Sequence, residues 1–153
     1  MSDALPAVVV RDLPWTEPLD VAAGMGGGDG ALALLSDGGP GGRWSHLGAG
    51  PDRIQVGATD DAAPFQALGD AGFGPGTVGL AAYDMGARPA TGPRPATWPD
   101  LMLARYPALL SFDHHRRVVR ATGRGRTELA ATAAAERAAG WLVLARTPPA
   151  PPP

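Results

Sequence analysis

Nucleophilic catalysis requires a serine beside a histidine that a carboxylate orients. Ser36, Ser45 and Ser111 and the histidines His46, His114 and His115 provide the residue types. No serine stands in a G-x-S-x-G setting, and no local spacing brings a serine to a histidine. Polar residues at strand ends explain these positions better. Asp113-His114-His115 is the one histidine cluster. Two adjacent side chains on a strand point to opposite faces and cannot both ligate one ion. With no cysteine and no H-x-x-x-H spacing, Asp113 is expected to form a turn, with His114 and His115 in solvent. Asp60-Asp61 reads as a helix cap rather than an acid/base pair. The glycine run Gly24 to Gly30 follows a helix and precedes a strand, the reverse of a dinucleotide-binding turn.

One stretch remains, Leu34 to Pro51, LLSDGGPGGRWSHLGAGP. It reads as a strand, a glycine-rich turn over 37–42 and a returning strand from Arg43 to Gly48. Ser36 offers a hydroxyl at the strand edge and Trp44 a flat apolar wall. Ser45 adds a second hydroxyl, and Leu34 and Leu47 add apolar contact. A few polar groups in an apolar wall is how a small amphipathic ligand is held. An ordinary hairpin is the competing reading.

The elements that must carry this stretch follow from the rest of the chain. Ala7 to Val10 is a β-branched strand. Thr16 is expected to cap a helix through Ala23, with Pro18 in its first turn. Ala31 to Ser36 reads as a strand buried on both faces, and Arg53 to Gly57 as an alternating strand. A helix over 62–70 follows, capped at Asp60 or Asp61. Thr77 to Tyr83 reads as a buried strand and 84–98 as an irregular excursion. Pro107 argues that the apolar segment 101–112 is an edge or bulged strand. Residues 113–116 turn into a strand over 117–122, making a hairpin. Thr127 caps a final helix to about Arg146, with Leu129, Ala133 and Trp141 as the inner stripe. The predicted class is α+β, a largely antiparallel, two-sheet, β-sandwich-like core flanked by helices. Residues 1–146 form the domain and 147–153 a proline-rich linker.

Bulk properties narrow the function classes. The 153 residues carry a net charge of −2, and all thirteen basic residues are arginine. No broad attraction to nucleic acid or to an anionic membrane follows. The arginines at 116, 117, 120, 124 and 126 read as a solvated strand face. Without cysteine there is no disulfide framework. The N-terminus lacks a signal-peptide pattern, and no apolar run approaches the roughly 20 residues of a bilayer span. A cytoplasmic protein is expected.

Beyond these properties, the residues resemble a family. Leu34-Leu35-Ser36-Asp37 followed by Gly42-Arg43-Trp44-Ser45-His46-Leu47-Gly48 is similar to the N-terminal signature of the anthranilate synthase component I family. That family includes aminodeoxychorismate synthase component I. Pro14-Trp15 with Pro18, Pro64-Phe65 with Leu68, Gly76 to Gly86, and Trp98 to Leu101 with Leu110 to His114 resemble further family segments, in order. The resemblance spans about residues 13–145. The Pro-Trp start and the GRWSHLG form are similar to the folate-branch enzymes, which make 4-amino-4-deoxychorismate from chorismate and glutamine-derived ammonia.

The resemblance implies a non-catalytic N-terminal domain packed on a chorismate-binding domain. It implies a glutamine amidotransferase subunit as further partner, and a tryptophan pocket lined by Leu34, Ser36, Trp44, Ser45 and Leu47. In the tryptophan branch such a pocket serves feedback inhibition. Asp37 stands where several members have glycine, and Trp44 where tyrosine is frequent. The family's Mg²⁺-binding glutamates and its P-I-K-G-T lysine belong to the chorismate-binding half. This chain has no lysine, so no cofactor and no catalytic residue are expected within it.

Overall fold

The computed structural model describes residues 7–57, 74–83, 92 and 99–145. The expected helix at 62–70, most of the excursion at 84–98 and the proline-rich tail lie outside the described residues. The chain divides into two compact units, Met1–Gly50 with Pro107–Pro153, and Pro51–Tyr106. The architecture is α+β with two antiparallel sheets, one in each unit.

The first unit holds β1 (Ala7–Pro14), α1 (Pro18–Met25), β2 (Leu32–Leu34) and β3 (Trp44–Gly48). It continues after the second unit with β7 (Ala108–Asp113), β8 (Val118–Gly125) and α2 (Glu128–Gly140). Its sheet order is β1-β8-β7-β3-β2. Strand β7 is central because its inward residues Ala108, Leu110 and Phe112 are all fully buried. With Val21, Leu47, Val119, Ala121, Ala134 and Ala138 they form the core between the sheet and both helices. Strand β2 is short and at the edge, and Leu34 is 46% exposed. The expectation of a strand buried on both faces at Ala31–Ser36 is therefore corrected: β2 has a neighbour on one side only, and no buried residue.

Helix α1 starts one turn position later than expected. Pro18 occupies its first position, and Glu17, not Thr16, is the N-cap residue, without a side-chain cap. The Glu17 carboxylate instead accepts the Trp15 indole N–H at 2.9 Å and pairs with Arg117 at 3.1 Å. Helix α2 starts as expected, with the Thr127 hydroxyl accepting the Ala130 N–H. Its inner stripe is Ala131, Ala134, Ala135 and Ala138, not Leu129 and Ala133, which are exposed; Trp141, just past the helix, packs against the core as expected. Leu129 is 81% exposed. The reason lies in the facing strand. A Cβ on Gly123 would stand 1.9 Å from the Ala131 carbonyl oxygen and 2.3 Å from the Ala135 nitrogen. The helix backbone rests on the strand backbone, and only methyl side chains fit between them. The helix gives way at Gly140 to a 3₁₀ turn, Trp141–Leu144.

The second unit contains β4 (Arg53–Gly57), β5 (Thr77–Ala81) and β6 (Leu101–Arg105), in the order β4-β6-β5. Register places Ile54, Ala104 and Val78 in one row and Val56, Met102 and Leu80 in the next. Ile54, Val56 and Leu80 are half-exposed on that face, while Leu101 and Leu103 on the other are buried. The expected buried strand at Thr77–Tyr83 is corrected: β5 spans Thr77–Ala81 and, among the described residues, is an edge strand with Leu80 half-exposed. The expectation of one edge or bulged strand over 101–112 is corrected: the chain breaks at Tyr106 and Pro107 into β6 and β7, one strand in each unit, each with a neighbour on both sides in its own sheet.

Candidate functional site

Alternation along β3 decides the fate of the candidate residues. Ser45 and Leu47 pair with Phe112 and Leu110 and point into the core. Trp44 and His46 pair with Asp113 and Ser111 and point to the opposite face, and Leu34 pairs with His46 on that same face. The five residues Leu34, Ser36, Trp44, Ser45 and Leu47 are neighbours in the hairpin, but the sheet separates them into two environments.

The inner environment is a closed polar network. Ser45 is fully buried. Its Oγ accepts the Ser36 N–H at 2.9 Å and lies 2.8 Å from Nε2 of His114. The Ser36 hydroxyl donates to the Gly42 carbonyl at 2.6 Å and accepts the Gly38 N–H at 3.3 Å. A Cβ on Gly42 would come within 2.0 Å of the Ser36 Oγ, so glycine is required for the loop to fold onto that hydroxyl. His114 is half-buried, with the Trp15 ring edge-on at 5.2 Å. Its placement corrects the expectation of two solvated histidines; His115 is exposed as expected.

This is the serine–histidine contact that the sequence spacing did not show, and it lacks what catalysis needs. The nucleophile would be enclosed, and the neighbouring carboxylate is engaged elsewhere. Asp113 is fully buried and accepts two N–H groups of Arg43, at 3.0 and 2.5 Å. It also accepts the backbone N–H of His115 and of Arg116, both at 3.1 Å. Arg43 and these backbone donors hold its carboxyl well below the usual carboxylate range against the cost of burial. Asp113 makes the turn expected of it and anchors the start of the hairpin loop. The Ser45–His114 pair is a latch that ties the β2–β3 loop to the β7–β8 turn.

The outer environment is open. A concavity of about 440 Å³ lies over the sheet, with Val8, Val10 and Trp44 as its apolar lining. His46, Ser111, Arg120, Thr122 and Arg124 add polar groups. His46 Nδ1 lies 2.9 Å from the Ser111 hydroxyl, and burial pushes the imidazole pKa down. Trp44 is stacked with His46, ring centroids 6.3 Å apart. The Arg43 and Arg120 guanidinium groups lie 5.0 and 5.8 Å from its ring centre. Arg120 pairs with Asp12 at 3.2 Å.

Of the expected pocket residues, only Trp44 lines this concavity. Val8, Val10, Ser111, Thr122 and the two arginines were not singled out as ligand contacts. Their signal was the alternation of β8, in which Arg120, Thr122 and Arg124 share one face and Val119, Ala121 and Gly123 the other. The arginine run is accordingly not one solvated face. Arg117 packs over Trp15 at 4.1 Å, Arg120 and Arg124 lie half-buried in the concavity, and Arg116 and Arg126 are exposed.

Among the described residues, no group of three histidine, cysteine, aspartate or glutamate side chains could hold a metal ion. No helix among them is long and apolar enough to cross a membrane. No protein-family model matches the chain, and no curated protein matches it.

Proposed function

We propose that this chain is a non-catalytic docking and ligand-binding part of a chorismate-using enzyme, of the aminodeoxychorismate synthase component I type. The motif order from Pro14 to His114 supports the family. The observation that carries the docking role is the unequal treatment of the five-stranded sheet. One face is sealed by two helices, whereas the other leaves Val8 and Val10 51% and 53% exposed. Apolar side chains gathered on one face mark a surface that another body covers. In this reading the covering body is the chorismate-binding domain, and the Mg²⁺ and the acid/base groups of the reaction belong to it. The glutamine amidotransferase subunit would supply ammonia to that domain, and this chain would contribute stability and a ligand site.

The test is reconstitution. A chorismate-binding domain carrying P-I-K-G-T, encoded beside this gene and produced separately, should form a 1:1 complex with the 153-residue chain. The complex should suppress binding of the dye ANS to the open face. Complex formation should be lost when Val10 is replaced by aspartate. A gene neighbourhood without such a domain, or a chain that binds neither dye nor domain, sinks this reading.

A further inference from the structure

The open face carries a group for which the proposed docking role has no use. Arg11, Arg43, Arg105, Arg117 and Arg120 each pair with a carboxylate. Arg124 differs. The buried side-chain nitrogens lacking a hydrogen-bond partner among the described residues are its Nε and Nη1. A guanidinium keeps its charge at neutral pH, even though burial here pushes its pKa down. A partly buried cationic fork without acceptors is costly; its Nε and Nη1 are closed to solvent, so an acceptor reaches them when the side chain turns into the concavity that it lines, and is then bound favourably.

The surroundings define that acceptor. Arg124 stands opposite Val8 in the β1–β8 register and lines the concavity of about 440 Å³ with Val10, Trp44 and Thr122. That volume is in the range of small-molecule sites, roughly 300–1,000 Å³. The lining combines the apolar Val8, Val10 and Trp44 with His46, the Ser111 and Thr122 hydroxyls, the Asp12-paired Arg120 and the Arg124 guanidinium. None of the lining residues is acidic; the neighbouring Asp12 carboxylate is taken up by Arg120, so an ammonium group would meet two guanidinium groups and no free carboxylate among the lining residues.

We propose that this concavity binds a small carboxylate with an apolar or aromatic body, its carboxylate meeting the Arg124 guanidinium, and that it takes simple acids in preference to amino acids. The inference rests on this geometry and stands apart from the family reading. A free acid and the docked domain of the family reading would compete for this same open face, which Val8 and Val10 share.

The test uses ¹⁵N-labelled full chain titrated with phenylacetate, phenylacetamide and L-phenylalanine, followed through the Arg124 Nε–H and Trp44 indole signals. Phenylacetate should bind roughly ten-fold or more tightly than phenylacetamide, the difference expected for a hydrogen bond to a charged group, and more tightly than L-phenylalanine, whose ammonium group is repelled by Arg120 and Arg124. Arg124→Gln should lose this preference, whereas Arg126→Gln, on an exposed side chain, should keep it. Val8→Glu places a carboxylate opposite Arg124. It should abolish phenylacetate binding while raising Tm, and it carries the test if Arg124→Gln fails to fold. Equal binding of acid and amide, a preference retained in Val8→Glu, or no shift at millimolar phenylacetate overturns the proposal.

Discussion

The two faces of the five-stranded sheet are written by alternate residues of the same strands, yet they are finished differently. On the inner face of β8 the side chains shrink from Val119 through Ala121 to Gly123, and helix α2 answers with four alanines. Close backbone approach leaves no void, so this face is sealed by shape. On the outer face Arg120, Thr122 and Arg124 alternate with those positions and meet Val8, Val10 and Trp44. There Val8 and Val10 are half-exposed, Trp44 and the two arginines are partly buried, Thr122 is buried, and Arg124 is incompletely paired among the described residues. One face is a finished core; the other is chemically specific and open. The difference shows where stability and binding reside in this domain.

The sharpest way to break that contrast is to remove volume from each face. Phe112→Ala should cost about 3–5 kcal/mol in urea unfolding, because a buried ring leaves a cavity. Val10→Ala on the open face should change stability by less than about 1 kcal/mol and lower ANS binding. Comparable costs on the two faces would show that the outer face is also a core. Adding volume is the next test. Gly123→Ala should destabilise by about 1–3 kcal/mol, since the new methyl group meets the backbone of α2 rather than a movable side chain. Calorimetric Tm checks it, and a wild-type Tm would mean that the helix can lift freely.

The latch should be weaker than the core. Ser45→Ala leaves the Ser36 N–H and the His114 ring without their shared partner and should cost about 1–3 kcal/mol. His114→Ala should add little to Ser45→Ala in a double-mutant cycle, because both remove the same contact. Full additivity would dissolve the latch as a unit.

The smallest effects are in pH. Burial lowers the His46 pKa from its ordinary value of 6.5. The unfolded chain therefore takes up the proton first, and stability falls as pH drops below about 6.5. Asp113 acts at lower pH. Its carboxyl is held below the ordinary 3.8, so its contribution is full above that value and is lost as pH falls through the folded-state value. His46→Gln should flatten the shallow loss between about pH 7 and 5 while leaving the acid limb unchanged. Asp113→Asn should do the reverse. Urea midpoints across pH measure both, and an unaltered slope in His46→Gln would show that its burial is not felt.

Local chemistry was legible wherever one residue dictates one conformation. Thr127 capped α2, Asp113 closed the β7–β8 turn, and the glycines after Asp37 made the hairpin loop. The errors arose where a neighbour in space decides. Leu129 looked like the inner stripe of α2 because leucine is apolar, but Gly123 and Gly125 across the contact admit only alanine. Ala31 to Ser36 looked buried on both faces because it is uniformly apolar, yet β2 lies at the sheet edge. Trp44 and Ser45 looked like one pocket because they are adjacent, although adjacency in a strand means opposite faces.

By itself the sequence determined the α+β class, most strand positions, the turns and the lack of lysine and thiol chemistry, since these follow from local conformational preference and residue type. Tertiary structure alone decided which face each hairpin residue serves, that Ser45 meets His114, and that Nε and Nη1 of Arg124 find no acceptor among the described residues. Those outcomes depend on register between strands far apart in sequence, and a shift of one residue in register would exchange the sealed face for the open one.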